Sequence, residues 1–196
     1  MSGAQKEKHE VILDSAFEIF GKKGFYDTKI SDITEHAGIA KGTMYLYFKS
    51  KEELFSAVTK RDWEKFLRDL NFQLKSADGL LDKLERVAVH HLEYYYERKA
   101  HTKLFFHAPN NDPELMRLMH GFLTRYMALV REALEDAGMP DPDFYAKAYI
   151  GMLDRLKMDI LFEGEFTRED LEKRVRQTVR LFLQGSEKEL HERDDE

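Results

Sequence analysis

Between Lys41 and Lys51 the chain reads KGTMYLYFKSK, a run whose residue types suit contact with a phosphate backbone. Lysine pairs with phosphate or with base edges. Threonine offers a hydroxyl to phosphate and a methyl to thymine. The phenol hydroxyls of Tyr45 and Tyr47 can reach phosphates, and Gly42 lets a backbone approach closely. From Gly38 to Lys51 there are three lysines and no acidic residue, a local +3 on a chain of formal net charge −6. A net acidic chain is not a general nucleic-acid binder, so such a role must rest on this strip. The same tyrosines would also serve as half-buried packing on a short helix, and the same lysines as a solvated face.

The elements around the strip decide how it is presented. Met44 and Phe48 are four apart and share one helical face, which turns Tyr45, Leu46 and Tyr47 outward. Before them lies a short helix with Ile30, Ile33 and Ala37 on one face, expected to be capped by Thr28 and closed by Gly38. Two helices of about eight residues flanking Gly38-Ile39-Ala40 have the spacing of a helix-turn-helix, whose second helix enters the major groove N-terminus first. That end is Lys41-Gly42-Thr43. Ala40 precedes it and cannot cap it with a side chain, a loss of ~1 kcal/mol.

Helical periodicity runs through the rest. Ile12, Ala16, Ile19 and Phe20 line a first helix that Gly24 stops. Ser50-Lys51-Glu52-Glu53 is a capping box opening a helix of about 25 residues, about 38 Å long. Asp78 or Gly79 marks the next break, and a short helix is expected between His101 and Ala108. Asp112-Pro113 and Asp141-Pro142 are each a cap followed by proline, and Gly138 and Gly164 are stops. Thr167 opens the last helix, and a charged tail follows residue 187. The expected fold is all-α with about nine helices: a three-helix head over residues 1–50, a larger helical body over 51–187 and a tail over 188–196.

Composition sets limits. Of 196 residues, 42% are hydrophobic and 35% charged, with no cysteine, so disulfides and thiolate zinc sites are excluded. The chain shows no apolar run long enough to span a bilayer and no N-terminal leader pattern, so the expectation is a cytoplasmic protein with no membrane partner. It contains no P-loop, nucleophile elbow, HExxH or dinucleotide motif, so the expectation is a non-enzyme without metal or cofactor. His90 and Glu93, three apart, could suit a metal-binding bundle, but the repeated Glu-x-x-His pairs of such a bundle are absent.

Residues 12–55, ILDSAFEIFGKKGFYDTKISDITEHAGIAKGTMYLYFKSKEELF, resemble the TetR family of one-component bacterial transcriptional regulators. The resemblance implies a homodimer that binds a palindromic double-stranded DNA operator, most often as a repressor, and is released by a small effector. It implies DNA contacts at Thr28, Lys41, Gly42, Thr43, Tyr45, Tyr47 and Lys51. It also implies dimerisation through the last two helices, where Ala148 and Gly151 are small enough for close approach. Aromatic and methionine side chains in the body suit an apolar or amphipathic effector, with Tyr95, Phe105, Met119, Phe122 and Tyr126 as candidates. Glu93, Glu97 and Asp154 could meet a cationic ligand, and Arg155 or Lys157 an anionic one. The rival reading is a helical small-molecule or metal-binding bundle without DNA activity.

Overall fold

The computed structural model describes residues 3–99, 102 and 112–191, with side chains for all of these but 4 and 186–191. Eight helices occur among the described residues: α1 (Gly3–Lys23), α2 (Ile30–His36), α3 (Lys41–Tyr45), α4 (Lys51–Lys75), α5 (Gly79–Glu97), α6 (Pro113–Glu135), α7 (Pro142–Phe162) and α8 (Arg168–His191). The short helix expected between His101 and Ala108 lies outside the described residues, as does Phe105.

Local signals set most boundaries. Ser50 Oγ accepts from Glu53 N at 3.1 Å, starting α4, and Glu53 reaches back to Lys49 N at 2.6 Å. Asp112 Oδ1 accepts from Glu114 N and Leu115 N, and Asp141 Oδ1 from Phe144 N, each ahead of a proline at the first helical position. Thr167 and Asp170 exchange hydrogen bonds at the start of α8. Gly138 closes α6 with φ 76°, a left-handed conformation that glycine adopts without strain.

Two expectations shift. Thr28 does not cap α2; the cap is Lys29, whose N–H donates to Asp32 at 3.0 Å. The Thr28 hydroxyl instead donates to the Gly24 carbonyl at 2.6 Å and is buried. The α-helical part of α3 ends at Tyr45, three residues short of Phe48, and a tight turn carries the chain on to Phe48.

The chain divides into two compact units, one of residues 3–65, 102 and 112–120, the other of 66–99 and 121–191. The first four turns or so of α4 thus belong to the first unit. Leu54, Phe55 and Val58 are buried in the same cluster as Ile12, Phe20, Ile33, Met44 and Phe48, with Leu115 of α6. The second unit is built on α5, α7 and α8 with the later turns of α4 and α6. Its core is apolar but carries placed polar atoms: Tyr149 Oη donates to the Leu84 carbonyl at 2.7 Å, and His91 Nδ1 meets Tyr126 Oη at 3.0 Å.

Burial holds His91 neutral, its pKa lowered from 6.5 to about 3, with Lys157 and His90 adding repulsion. The unfolded chain takes a proton near the ordinary value that the folded chain refuses until about pH 3. The folded pKa is depressed, so this stability is present above the ordinary value and lost as pH falls through that window. Urea unfolding of wild type and His91→Asn across this range checks it. The variant should lose stability less steeply on acidification, by an amount on the order of a few kcal/mol at the acid end.

Candidate nucleic-acid interface

The recognition segment is held by two side chains. Met44 is fully buried and Phe48 nearly so, against α1, α2 and the start of α4. Each such burial contributes about 1.5–3 kcal/mol. The turn before them is made by Gly38, at φ 64°, with Ile39 N donating to the Thr34 carbonyl at 3.0 Å. Ala40 sits at the cap of α3 and supplies no side-chain bond, as its chemistry dictates; Thr43 N donates to the Ala40 carbonyl instead.

With that face buried, the others point out. Lys41, Gly42, Tyr45 and Lys49 are exposed, Thr43 is half-buried, and Leu46 is 84% exposed. Tyr47 differs from its expected outward aim: it is half-buried on the head core, its ring 6.2 Å from that of His9. A Cβ added at Gly42 would meet no atom within 4 Å. Packing among the described residues therefore does not require glycine there.

Thr28 and Lys51 are occupied within the head. Lys51 Nζ donates to the carbonyls of Phe25 (2.7 Å), Thr28 (3.0 Å) and Tyr26 (3.4 Å) and lies 4.4 Å from the centre of the Phe25 ring. It ties the start of α4 to the loop after α1, and the buried Thr28 hydroxyl ties that loop to Gly24. Their polar atoms are engaged within the head; Lys41, Tyr45 and Lys49 are exposed, and Thr43 and Tyr47 are half-buried. Nearby basic groups are also paired: Lys23 with Asp32 at 2.9 Å, and Arg61 with Asp14 at 2.8 Å and Glu10 at 3.1 Å.

In the body, Tyr95 is half-buried beside His91, and Phe122 stacks on the buried Tyr126 at 6.1 Å. Phe66, not among the candidates, stands among Tyr94, Phe122 and Tyr126 at 5.1–5.4 Å. Met119 is exposed on the part of α6 that belongs to the first unit. The candidate charges are paired internally: Glu93 with Arg168, Arg155 with Asp159, and Asp154 with Lys157. His90 Nε2 bonds the Phe66 carbonyl at 3.0 Å, and the described residues contain no group of three metal-ligating side chains. No described helix is long and apolar enough to cross a membrane.

Comparison with known proteins bears on both units. The model for bacterial regulatory proteins of the tetR family matches residues 12–58, and that for a tetracyclin repressor-like C-terminal domain matches residues 75–185. The fatty acid metabolism regulator protein of Bacillus subtilis (strain 168) is 31% identical over 87 residues, 44% of this chain and 45% of that protein. The HTH-type transcriptional regulator AcrR of Shigella flexneri is 30% identical over 89 residues, 45% of this chain and 41% of that protein. The match thus spans less than half the length of these curated relatives. In fold, the chain is similar to the transcriptional regulator FadR from Bacillus subtilis in complex with stearoyl-CoA: TM-score 0.75 at 21% identity, covering 90% of this chain and 98% of that one.

The different engagements of these residues separate in experiment. Gly42→Ala should leave thermal stability unchanged or raise it by up to about 1 kcal/mol, because alanine favours helix, yet weaken binding to a DNA fragment selected from random sequence. Lys41→Ala should weaken DNA binding and reduce the slope of log affinity against log salt by about one. Lys51→Met should lower the melting temperature while leaving that slope unchanged. Calorimetry and salt-titrated DNA binding read all three, and a reduced slope in Lys51→Met would place its ammonium at a phosphate after all.

Proposed function

The chain belongs to the tetR family of bacterial regulatory proteins and is a ligand-responsive, DNA-binding transcriptional regulator; from that premise we propose a dimeric repressor that grips a palindromic operator with two heads and lets go on binding a small amphipathic effector. The observation that carries the reading is the strip from Lys41 to Lys49. Its apolar side chains Met44 and Phe48 are spent in the core, and its lysines, Thr43 and Tyr45 are turned out around a glycine that the head does not need. In this reading Lys41 and Thr43 enter the major groove, Gly42 allows the close approach, and Tyr45, Tyr47 and Lys49 hold phosphates. Thr28 and Lys51 keep the head in shape. The work is binding rather than catalysis, carried out where the DNA is, in the cytoplasm.

Two heads need a dimer. Phe144, Ala148, Gly151, Arg155 and Phe162 fall on one face of α7, at spacings of four, three, four and seven residues. Phe144 and Phe162 are exposed large apolar side chains at its ends, and a Cβ at Gly151 would meet nothing within 4 Å. A mid-helix glycine costs about 1 kcal/mol, and no neighbour among the described residues accounts for it. Leu181 of α8, 64% exposed, lines a groove with Ala148, Gly151 and Arg155. Small residues between exposed phenylalanines support a helix pair approached by its symmetry mate.

The aromatic group of Phe66, Tyr95, Phe122 and Tyr126 supports an effector with an apolar body. The similar FadR structure holds stearoyl-CoA, a molecule with a long apolar chain. Effector binding releases DNA if it favours the DNA-incompetent state, and linkage requires operator to weaken effector binding by the same factor.

Gly151→Glu tests the dimer and the two-headed grip together. Sedimentation should show the 23.1 kDa monomer in place of the dimer. Affinity for a palindromic fragment with half-sites roughly 34–36 Å apart should fall to that of a single half-site. A wild-type protein that sediments as a monomer while binding the palindrome would overturn the dimeric reading.

A further inference from the structure

Inside the body, a polar cluster sits where the aromatic residues meet. His91 is 2% exposed, and its Nδ1 lies 3.0 Å from Tyr126 Oη. Its other ring nitrogen, Nε2, is buried and has no hydrogen-bond partner among the described residues. Nε2 faces Asp154 Oδ1 at 3.7 Å. That carboxylate takes Lys157 Nζ at 2.5 Å, and the ammonium rests over Tyr95, 5.1 Å from the ring centre. Side chains from α5, α6 and α7 thus converge. His91 forms the floor, and Asp154, its side chain 41% exposed, opens the cluster outward.

The chemistry of the gap is specific. A carboxylate opposite Nε2 favours the tautomer with its proton on Nε2, so that Tyr126 donates to Nδ1. A buried N–H without a partner costs about 1–3 kcal/mol. At 3.7 Å the N–H and the carboxylate are too far apart to bond each other, yet one oxygen atom can bridge them. The bridging group must accept from Nε2–H and donate to Asp154. A hydroxyl does both. A carboxylate or phosphate accepts but cannot donate, and it meets the charge of Asp154. An ammonium donates but cannot accept, and it competes with Lys157. Asp154 and Lys157 cancel in charge beside a neutral imidazole, so the cluster calls for no net charge on the ligand.

We propose that His91 and Asp154 form a recognition site for the hydroxyl group of an uncharged, otherwise apolar ligand such as a long-chain alcohol or a hydroxylated lipid. Tyr95, Phe122 and Phe66 supply the apolar contact beside it. This deepens the effector reading, on which it rests for the ligand's effect on DNA but not for its binding.

The test uses the full chain and three probes of one chain length, 1-dodecanol, dodecanoate and dodecylammonium, followed by isothermal titration below their micelle limits. The alcohol should bind about tenfold or more tighter than either charged probe, the discrimination expected of a site built to bond a hydroxyl. His91→Asn keeps a polar group near Nδ1 for Tyr126 and removes Nε2; Asp154→Ala removes the acceptor from a half-exposed position. Each should erase most of the alcohol preference while the far-UV dichroism stays that of wild type. Equal binding of the three probes, no binding of the alcohol, or a preference that survives in both variants would overturn the proposal, and a bridging water alone would give the first of these. Operator release is read separately. An alcohol that binds by these criteria without releasing operator refutes the effector reading and leaves the hydroxyl site standing.

Discussion

A five-residue helix without a side-chain cap cannot hold itself together in water, and α3, the proposed DNA-facing part of this protein, is such a helix. Nucleating one turn costs more than its few hydrogen bonds return. α3 therefore exists because Met44 and Phe48 are buried in a core built from α1, α2 and the first turns of α4. The aromatic rings of Phe20, Phe25 and Phe55 meet at 5.1–6.0 Å in that core, which gives the segment a firm seat. Burying two residues four apart turns Tyr45 and Leu46, between them, outward, while Tyr47 rests half-buried on the same core. The outward display of Lys41, Gly42 and Tyr45 is a consequence of packing.

Charge is distributed by the same economy. The chain is acidic overall, yet its head presents lysines around a surface with no acidic residue in the segment. Several nearby cations are withdrawn from that surface. Lys23 and Arg61 are taken by carboxylates, and Lys51 by three backbone carbonyls and an aromatic face. Within the segment Lys41 and Lys49 remain exposed. A local cluster of this kind attracts a phosphate backbone within a Debye length even when the distant charge has the opposite sign.

The body solves a different problem. An aromatic interior gains from burial but tolerates polar atoms only where they are paired. Tyr149 and Tyr126 have such partners in the Leu84 carbonyl and His91. Burial keeps both phenols protonated, raising each pKa above its ordinary value. His91 is satisfied on one side only. That asymmetry, within reach of the Asp154–Lys157 pair, is what the proposed hydroxyl site rests on.

The sequence alone determined what short-range chemistry controls. Caps at Ser50, Asp112 and Asp141, the glycine stops, the turn at Gly38 and the outward face of α3 all depend on neighbours within about four residues, so spacing reveals them. The match of residues 12–55 to a family pattern was legible for the same reason. Only the tertiary structure decided the partners of long side chains. Lys51 stands beside a cap and looks ready for a phosphate, but its ammonium finds carbonyls 23 to 26 residues away. Thr28 has the right type to cap α2 and bonds backward to Gly24 instead. The head extends to residue 65 because the first turns of α4 are buried in it, although the sequence break lies at residue 50. His91 stands at helical spacing with the buried Leu84, Val87 and Ala88, and its polar partners, Tyr126, 35 residues on, and Asp154, are set against it only by packing. A helix's periodicity says which face a side chain occupies; only the packing of other helices says what lies opposite.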